Sequence, residues 1–142
     1  MPRNNLRTCT LFQEFSSLAF PGQDYAIFGS GPLFAWGIRS HISDLDVIAR
    51  GEAWEMATTL GTPSPAPSGY GDMVQLSGGR IEIFDRWIDA AWDTDTLIDN
   101  AEYIDGLKFV TMAMVVQWKG GSSREKDKRD MDLIYRYYGR RF

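Results

Sequence analysis

Asp44 and Asp46 stand two residues apart in the stretch Ser43-Asp44-Leu45-Asp46-Val47. On an extended chain that spacing puts both carboxylates on one face. Like charges so placed repel unless a cation lies between them, and oxygen ligands favour Mg²⁺. Upstream, Phe28-Gly29-Ser30-Gly31 closes an apolar run with a small-residue turn. Gly29 and Ser30 there offer backbone N–H groups and a hydroxyl to a phosphate. Metal and phosphate together point to chemistry on a nucleotide. Arg39, Lys119, Arg124 and Lys126 are the candidate cations for neutralising phosphate charge. Arginine suits bidentate phosphate contacts, and lysine a point charge.

These residues need elements to hold them. Leu6, Cys9, Phe12, Phe15 and Leu18 recur at helical spacing, so residues 5–19 read as a helix ended by Pro21-Gly22. Residues 25–28 form a short apolar run, as in a buried strand. Residues 33–38 follow the Gly-Pro turn as a short helix, 45–49 are a second strand, and 52–60 a further helix. Residues 62–71, rich in Pro, Ser and Gly, are a loop within one domain. Residues 73–76 and 80–84 flank Ser77-Gly78-Gly79 as a hairpin. The stretch 101–109 is extended with a turn at Gly106. Residues 110–119 are apolar enough for a buried helix. Ser122-x-x-Glu125 reads as a capping box opening a last helix to Tyr138. The pattern predicts an α/β (α+β) domain with a mixed sheet flanked by helices.

Composition narrows the function classes. The chain has 142 residues, enough for one domain with its own core. A net charge of −4 argues against binding nucleic acid through bulk positive charge. Cys9 is the only cysteine, which excludes an internal disulfide and a cysteine-based zinc site. A reduced, cytoplasmic setting follows as the expectation, with no membrane partner, since no apolar run has the length of a span.

A strand ending in Gly29-Ser30, a helix, and a strand carrying Asp44-x-Asp46 together resemble the nucleotidyltransferase superfamily, which has the DNA polymerase beta-like fold. Gln117-Trp118-Lys119 followed by Arg124-Glu125-Lys126-Asp127-x-x-Asp130 is similar to the helical tail of minimal and abortive-infection-type bacterial members. The resemblance covers residues 24–85 and 107–138. It implies one domain over 1–142, with a core at about 20–88 and a C-terminal helical part at about 107–142. It also implies a third carboxylate on a later strand, and Ile81-Glu82-Ile83 supplies Glu82 as the candidate. Asp44, Asp46 and Glu82 would then hold one Mg²⁺ ion, or two, against an NTP. The implied reaction moves a nucleoside monophosphate to an acceptor hydroxyl on a small molecule, protein or RNA and releases pyrophosphate. Minimal relatives also work beside a separate helical partner protein, so a homodimer or such a partner is expected to supply the acceptor surface here. A catalytically inactive module binding nucleotide or a partner, as in toxin–antitoxin pairs, is the alternative.

Plainer readings stand beside these. Asp44 can be a turn residue opening its strand, and Glu82 can face solvent on a sheet edge. Asp85 competes with Glu82 but lies at an odd offset, hence on the opposite face. Ser30 can serve only as a helix N-cap. His41, the single histidine, reads as an exposed loop residue. Lys126 and Asp130, four apart, can form a surface ion pair. Tyr135, Tyr137 and Tyr138 can pack the last helix, and the five tryptophans can be core or interface. The 62–71 loop either borders an acceptor site or is ordinary surface.

Overall fold

Two strands at the centre of the protein are apolar at every position but one. The strand Leu45–Ala49 (β2) is interrupted only by half-buried Asp46, and Ile81–Phe84 (β5) only by half-buried Glu82. Tyr25–Phe28 (β1) is buried throughout. Strands of this kind need cover on both faces. The computed structural model, which describes residues 3–87 and 92–139, supplies it. The expected domain limits at 1, 88 and 142 lie outside the described residues.

The remaining elements are the helices Thr10–Ser17 (α1), Gly31–Ala35 (α2), Gly51–Leu60 (α3), Thr94–Asp99 (α4), Met112–Gly120 (α5) and Glu125–Gly139 (α6). The other strands are Ser64–Pro65 (β3), Asp72–Leu76 (β4), Glu102–Ile104 (β6) and Leu107–Phe109 (β7). One mixed sheet runs in the order β3-β4-β5-β2-β1-β7-β6. β2 is parallel to β5 and antiparallel to β1, while β1 is parallel to β7. This is the α+β mixed sheet that the sequence pattern predicts.

Alternation along the strands sorts the side chains into two cores. Ile27, Leu45, Val47, Ile81, Ile83 and Phe109 pack with Phe12 and Phe15 of α1 and Ala53 and Ala57 of α3. Ala26, Phe28, Ile48 and Phe84 face the other way, onto Ile98 of α4, Val115 of α5, and Met131 and Ile134 of α6. Asp46 and Glu82 share the parity of this second set. They therefore open toward the C-terminal helices.

Several elements depart from expectation. The first helix is broken at Cys9, whose backbone is extended, between a 3-10 turn at Leu6–Thr8 and α1. Asn5 caps the start of the turn by accepting a hydrogen bond from the Arg7 N–H. The short helix begins at Gly31 rather than Leu33. The ambiguous 101–109 stretch is a β6–β7 hairpin around Asp105-Gly106, both at positive φ. That dipeptide suits a tight primed turn. α4 is an addition that sequence patterning did not predict. Asp93 caps it by accepting from the Thr96 N–H. Ser122 does not cap α6. Its hydroxyl accepts from the Arg124 N–H and donates to Asp127.

The last two helices are joined by a buried ion cluster. Lys119 is 2% exposed, Asp127 0% and Asp130 2%. Lys119 Nζ lies 3.1 Å from Asp127 Oδ1 and 2.9 Å from Asp130 Oδ2. Asp130 also receives Arg39 Nη1 at 3.1 Å, and the same nitrogen donates to Ser30 Oγ. α5, α6 and the β1–α2 turn are thus tied through charge-assisted bonds. Removing the central cation strands two buried carboxylates. Lys119→Met is expected to lower stability by roughly 3–5 kcal/mol, read from urea denaturation. A loss under about 1 kcal/mol, the range of a surface pair, would show that the cluster is not structural.

Candidate functional site

The site gathers where β1 ends and β2 and β5 begin, beside the start of α6. In the parallel β2–β5 register Asp46 is directly beside Glu82, and in the β1–β2 register it is opposite Phe28. Asp44 precedes β2 by one residue and is also half-buried. The strand geometry thus brings Asp44, Asp46 and Glu82 to one face. Among the described residues, however, no three acidic, histidine or cysteine side chains converge into a ready-made metal cluster.

Asp46 carries the electrostatic tension of this face. Burial raises its carboxyl, and the charges of Asp44 and Glu82 raise it further, to about 7. Lys126 and Lys119 offset only part of this. Neighbouring acids such as Asp46 and Glu82 are the donor type that a hard divalent cation takes.

Glu82 is not a solvent-edge residue, because β5 lies between β2 and β4. Gln75, its cross-strand neighbour, donates Nε2 to Glu82 Oε2 at 2.8 Å and fixes the carboxylate. Asp85 is excluded as the third acid by its partners: its Oδ1 accepts the Asp72 N–H at 2.8 Å and steadies the β4–β5 pairing. Gln75 was not among the sequence candidates. Its signal is the period of the hairpin, which sets residue 75 opposite residue 82.

Gly29 is held at φ 68°, a left-handed conformation, and a Cβ there would lie 2.8 Å from Asp46 Oδ2. Close approach of the turn to the acid therefore requires glycine. Ser30 is buried and starts α2, but its side chain caps nothing. Its Oγ accepts from Arg39, leaving its own proton to donate.

The candidate cations divide into two groups. Lys119 and Arg39 are spoken for by Asp127 and Asp130, so the expectation that Lys119 binds nucleotide gives way to a structural role. Arg39 acts on the site through Ser30. Lys126 is exposed, its charge acts on Asp46, and Asp130 pairs with Lys119 and Arg39 instead of with it. Arg124 is 61% exposed, and Asp127 engages its Nε at 2.8 Å and its Nη2 at 3.2 Å. Burial alone would raise the Asp127 carboxyl, but hydrogen bonds from Arg124, Ser122 and Lys119 outweigh it and hold Asp127 well below the usual range. His41 is exposed and away from the acids. Asp127 and Asp130 are core partners rather than surface acids. Their spacing with Met131, Ile134 and Tyr137 along the buried face of α6 is the signal that marks them.

No family model, curated protein or solved structure matches this chain. Its chemistry is read from the arrangement just described. No helix among the described residues is long and apolar enough to cross a membrane.

The folded protein holds the Asp46 proton more tightly than the unfolded chain does. This group therefore favours folding fully below its ordinary value of 3.8 and loses that contribution as pH rises to about 7. Asp46→Asn removes the charge that burial and repulsion oppose. At pH 8 the variant should exceed the parent in stability by roughly 1–3 kcal/mol, with the gap closing toward pH 4 in urea titrations. An advantage independent of pH would show that Asp46 is not electrostatically strained.

Proposed function

We propose that the protein is an Mg²⁺-dependent nucleotidyltransferase. It transfers a nucleoside monophosphate from an NTP to an acceptor hydroxyl and releases pyrophosphate. The observation that carries the reading is the side-by-side register of Asp46 and Glu82, beside a glycine turn that touches Asp46. The order of these parts along the chain is that of the nucleotidyltransferase superfamily, and the mixed sheet suits it.

Phosphoryl-type transfer asks the protein for positioning and charge compensation rather than covalent chemistry. Asp44, Asp46 and Glu82 would hold Mg²⁺. When bound, the ion neutralises triphosphate charge and polarises the reacting phosphoryl group. Ser30, oriented by Arg39, donates its hydroxyl proton to a phosphate oxygen. Lys126 and Arg124 add positive charge over the same face. Glu82, fixed at Oε2 by Gln75, presents Oε1 to the acceptor hydroxyl and takes up its proton. The acceptor oxygen bonds to the α-phosphorus, the bond to the bridging oxygen breaks, and pyrophosphate leaves with the electron pair.

One observation favours a second reading, a nucleotide-binding or partner-binding module without turnover: the three carboxylates are not drawn into a closed cluster. Calorimetry separates the two. The transferase reading expects ATP binding that requires Mg²⁺ and falls to background in the double variant Asp44→Ala/Asp46→Ala, together with pyrophosphate release when acceptors are screened against radiolabelled NTPs. Nucleotide binding that ignores both Mg²⁺ and the double substitution would sink it.

A further inference from the structure

Residues 3–5 belong to neither the sheet nor a helix, and Leu6 behind them is buried in the first core. Two of these residues grip the end of α2. The Asn4 amide nitrogen donates to the carbonyl oxygens of Phe34 and Arg39, at 2.8 Å each. Both of its protons are thereby used. The Arg3 guanidinium lies 4.1 Å above the Trp36 ring, which packs against both cores.

What they grip is the start of an irregular connection. α2 ends with Gly37 in the left-handed region, at φ 77°, its N–H on Phe34 O and the Ile38 N–H on Leu33 O. This Schellman closure turns the chain out of the helix. From residue 39 to residue 44 no helix or strand holds the backbone, and β2 begins only at Leu45. Among the described residues the Arg39 carbonyl has one hydrogen-bond partner, Asn4. The Arg39 side chain carries the tie inward. A single nitrogen, Nη1, serves Ser30 Oγ and Asp130 Oδ1, both at 3.1 Å. Holding one nitrogen on two acceptors costs side-chain freedom, and a loose backbone adds to that cost.

Asn4 donates only to these two carbonyls, so its reach to the site is indirect: Asn4 to Arg39, and Arg39 to Ser30. We infer that Asn4 is a positioning residue, and that residues 3–6 act as a strap that sets Ser30 through Arg39. Loosening the strap lets Arg39 leave Ser30 for Asp130 alone, and the hydroxyl that donates to phosphate loses its orientation. The role of Ser30 here rests on the transferase reading, whereas the tie from Asn4 through Arg39 stands apart from it. Coupling of this kind is reciprocal. A triphosphate that engages Ser30 tightens the strap by the same factor as the strap tightens the triphosphate.

In the full chain, Asn4→Asp keeps the shape of the side chain and removes both donated protons. The Arg39 Nε–H signal, assigned by its loss in Arg39→Lys, is followed by NMR without ligand. Asn4→Asp is expected to shift it toward the position it takes in Ser30→Ala. Should Asn4→Asp fail to fold, the milder Asn4→Ala is expected to shift it the same way. Calorimetry with Mg²⁺ and ATP gives the second readout. Asn4→Asp should weaken ATP binding by roughly fivefold, the scale of one net hydrogen bond. In the Ser30→Ala background the same substitution should cost nothing further, whereas a purely structural loss would add in full. An Arg39 signal indifferent to the change at Asn4, or losses that add across the Ser30→Ala background, overturn the proposal. Mg²⁺-independent ATP binding counts instead against the transferase reading, and the Arg39 signal still decides the strap.

Discussion

The arrangement depends on one lysine ammonium held between two carboxylates in the interior. Lys119 sits on α5, Asp127 and Asp130 on α6, and Arg39 reaches in from beyond α2. None of these charges is tolerable alone at that depth. Together they fix where α6 starts, and that start carries Arg124 and Lys126 over the acids. The same cluster reaches Ser30 through Arg39, so the β1–α2 turn and the start of α6 share one anchor. Apolar residues in those places could pack as tightly but would not dictate the angle between helix and turn.

A second constraint runs against stability. The two central strands are covered on both faces, yet each places an acid where its neighbours are apolar. The parallel register then sets those acids side by side. Burial and repulsion make Asp46 hold its proton to near neutrality. Local inconsistency of this kind, in an otherwise consistent sheet, is where function is expected. The same logic explains the missing side chain at residue 29, where any Cβ would press on the Asp46 carboxylate.

Much of this was legible in the residues. Asp46 and Glu82 share a face because strand periodicity is rigid, and β1, β2 and β5 sit where apolar runs placed them. The helical tail read correctly as two helices, but not what its charges do. Lys119 looks like a phosphate ligand in sequence because burial of a lysine is decided by tertiary packing, not by its neighbours. Asp127 and Asp130 look like surface acids until their spacing with Ile134 and Tyr137 is followed. Ser122 fits a capping box by type, but Asp127 competes for its hydroxyl. The helix after Asp93 turned on a single side-chain cap, which periodicity does not register.

The walls around the acids differ in how they are built. On one side stand central strands and the buried ion cluster. On the other, Pro67 and Ser68 hang from β3, a two-residue strand at the edge of the sheet, paired only through Ser64 with Met73 and Pro65 with Asp72. Ala66 of that loop is buried in the second core, so only the stretch beyond it, with Pro67 and Ser68, stands clear of the sheet and both cores. The two sides of the hollow are therefore held unequally. Asp46 and Glu82 are locked into the central register, while Pro67 and Ser68 opposite them ride on a peripheral loop tied to the sheet by two residue pairs.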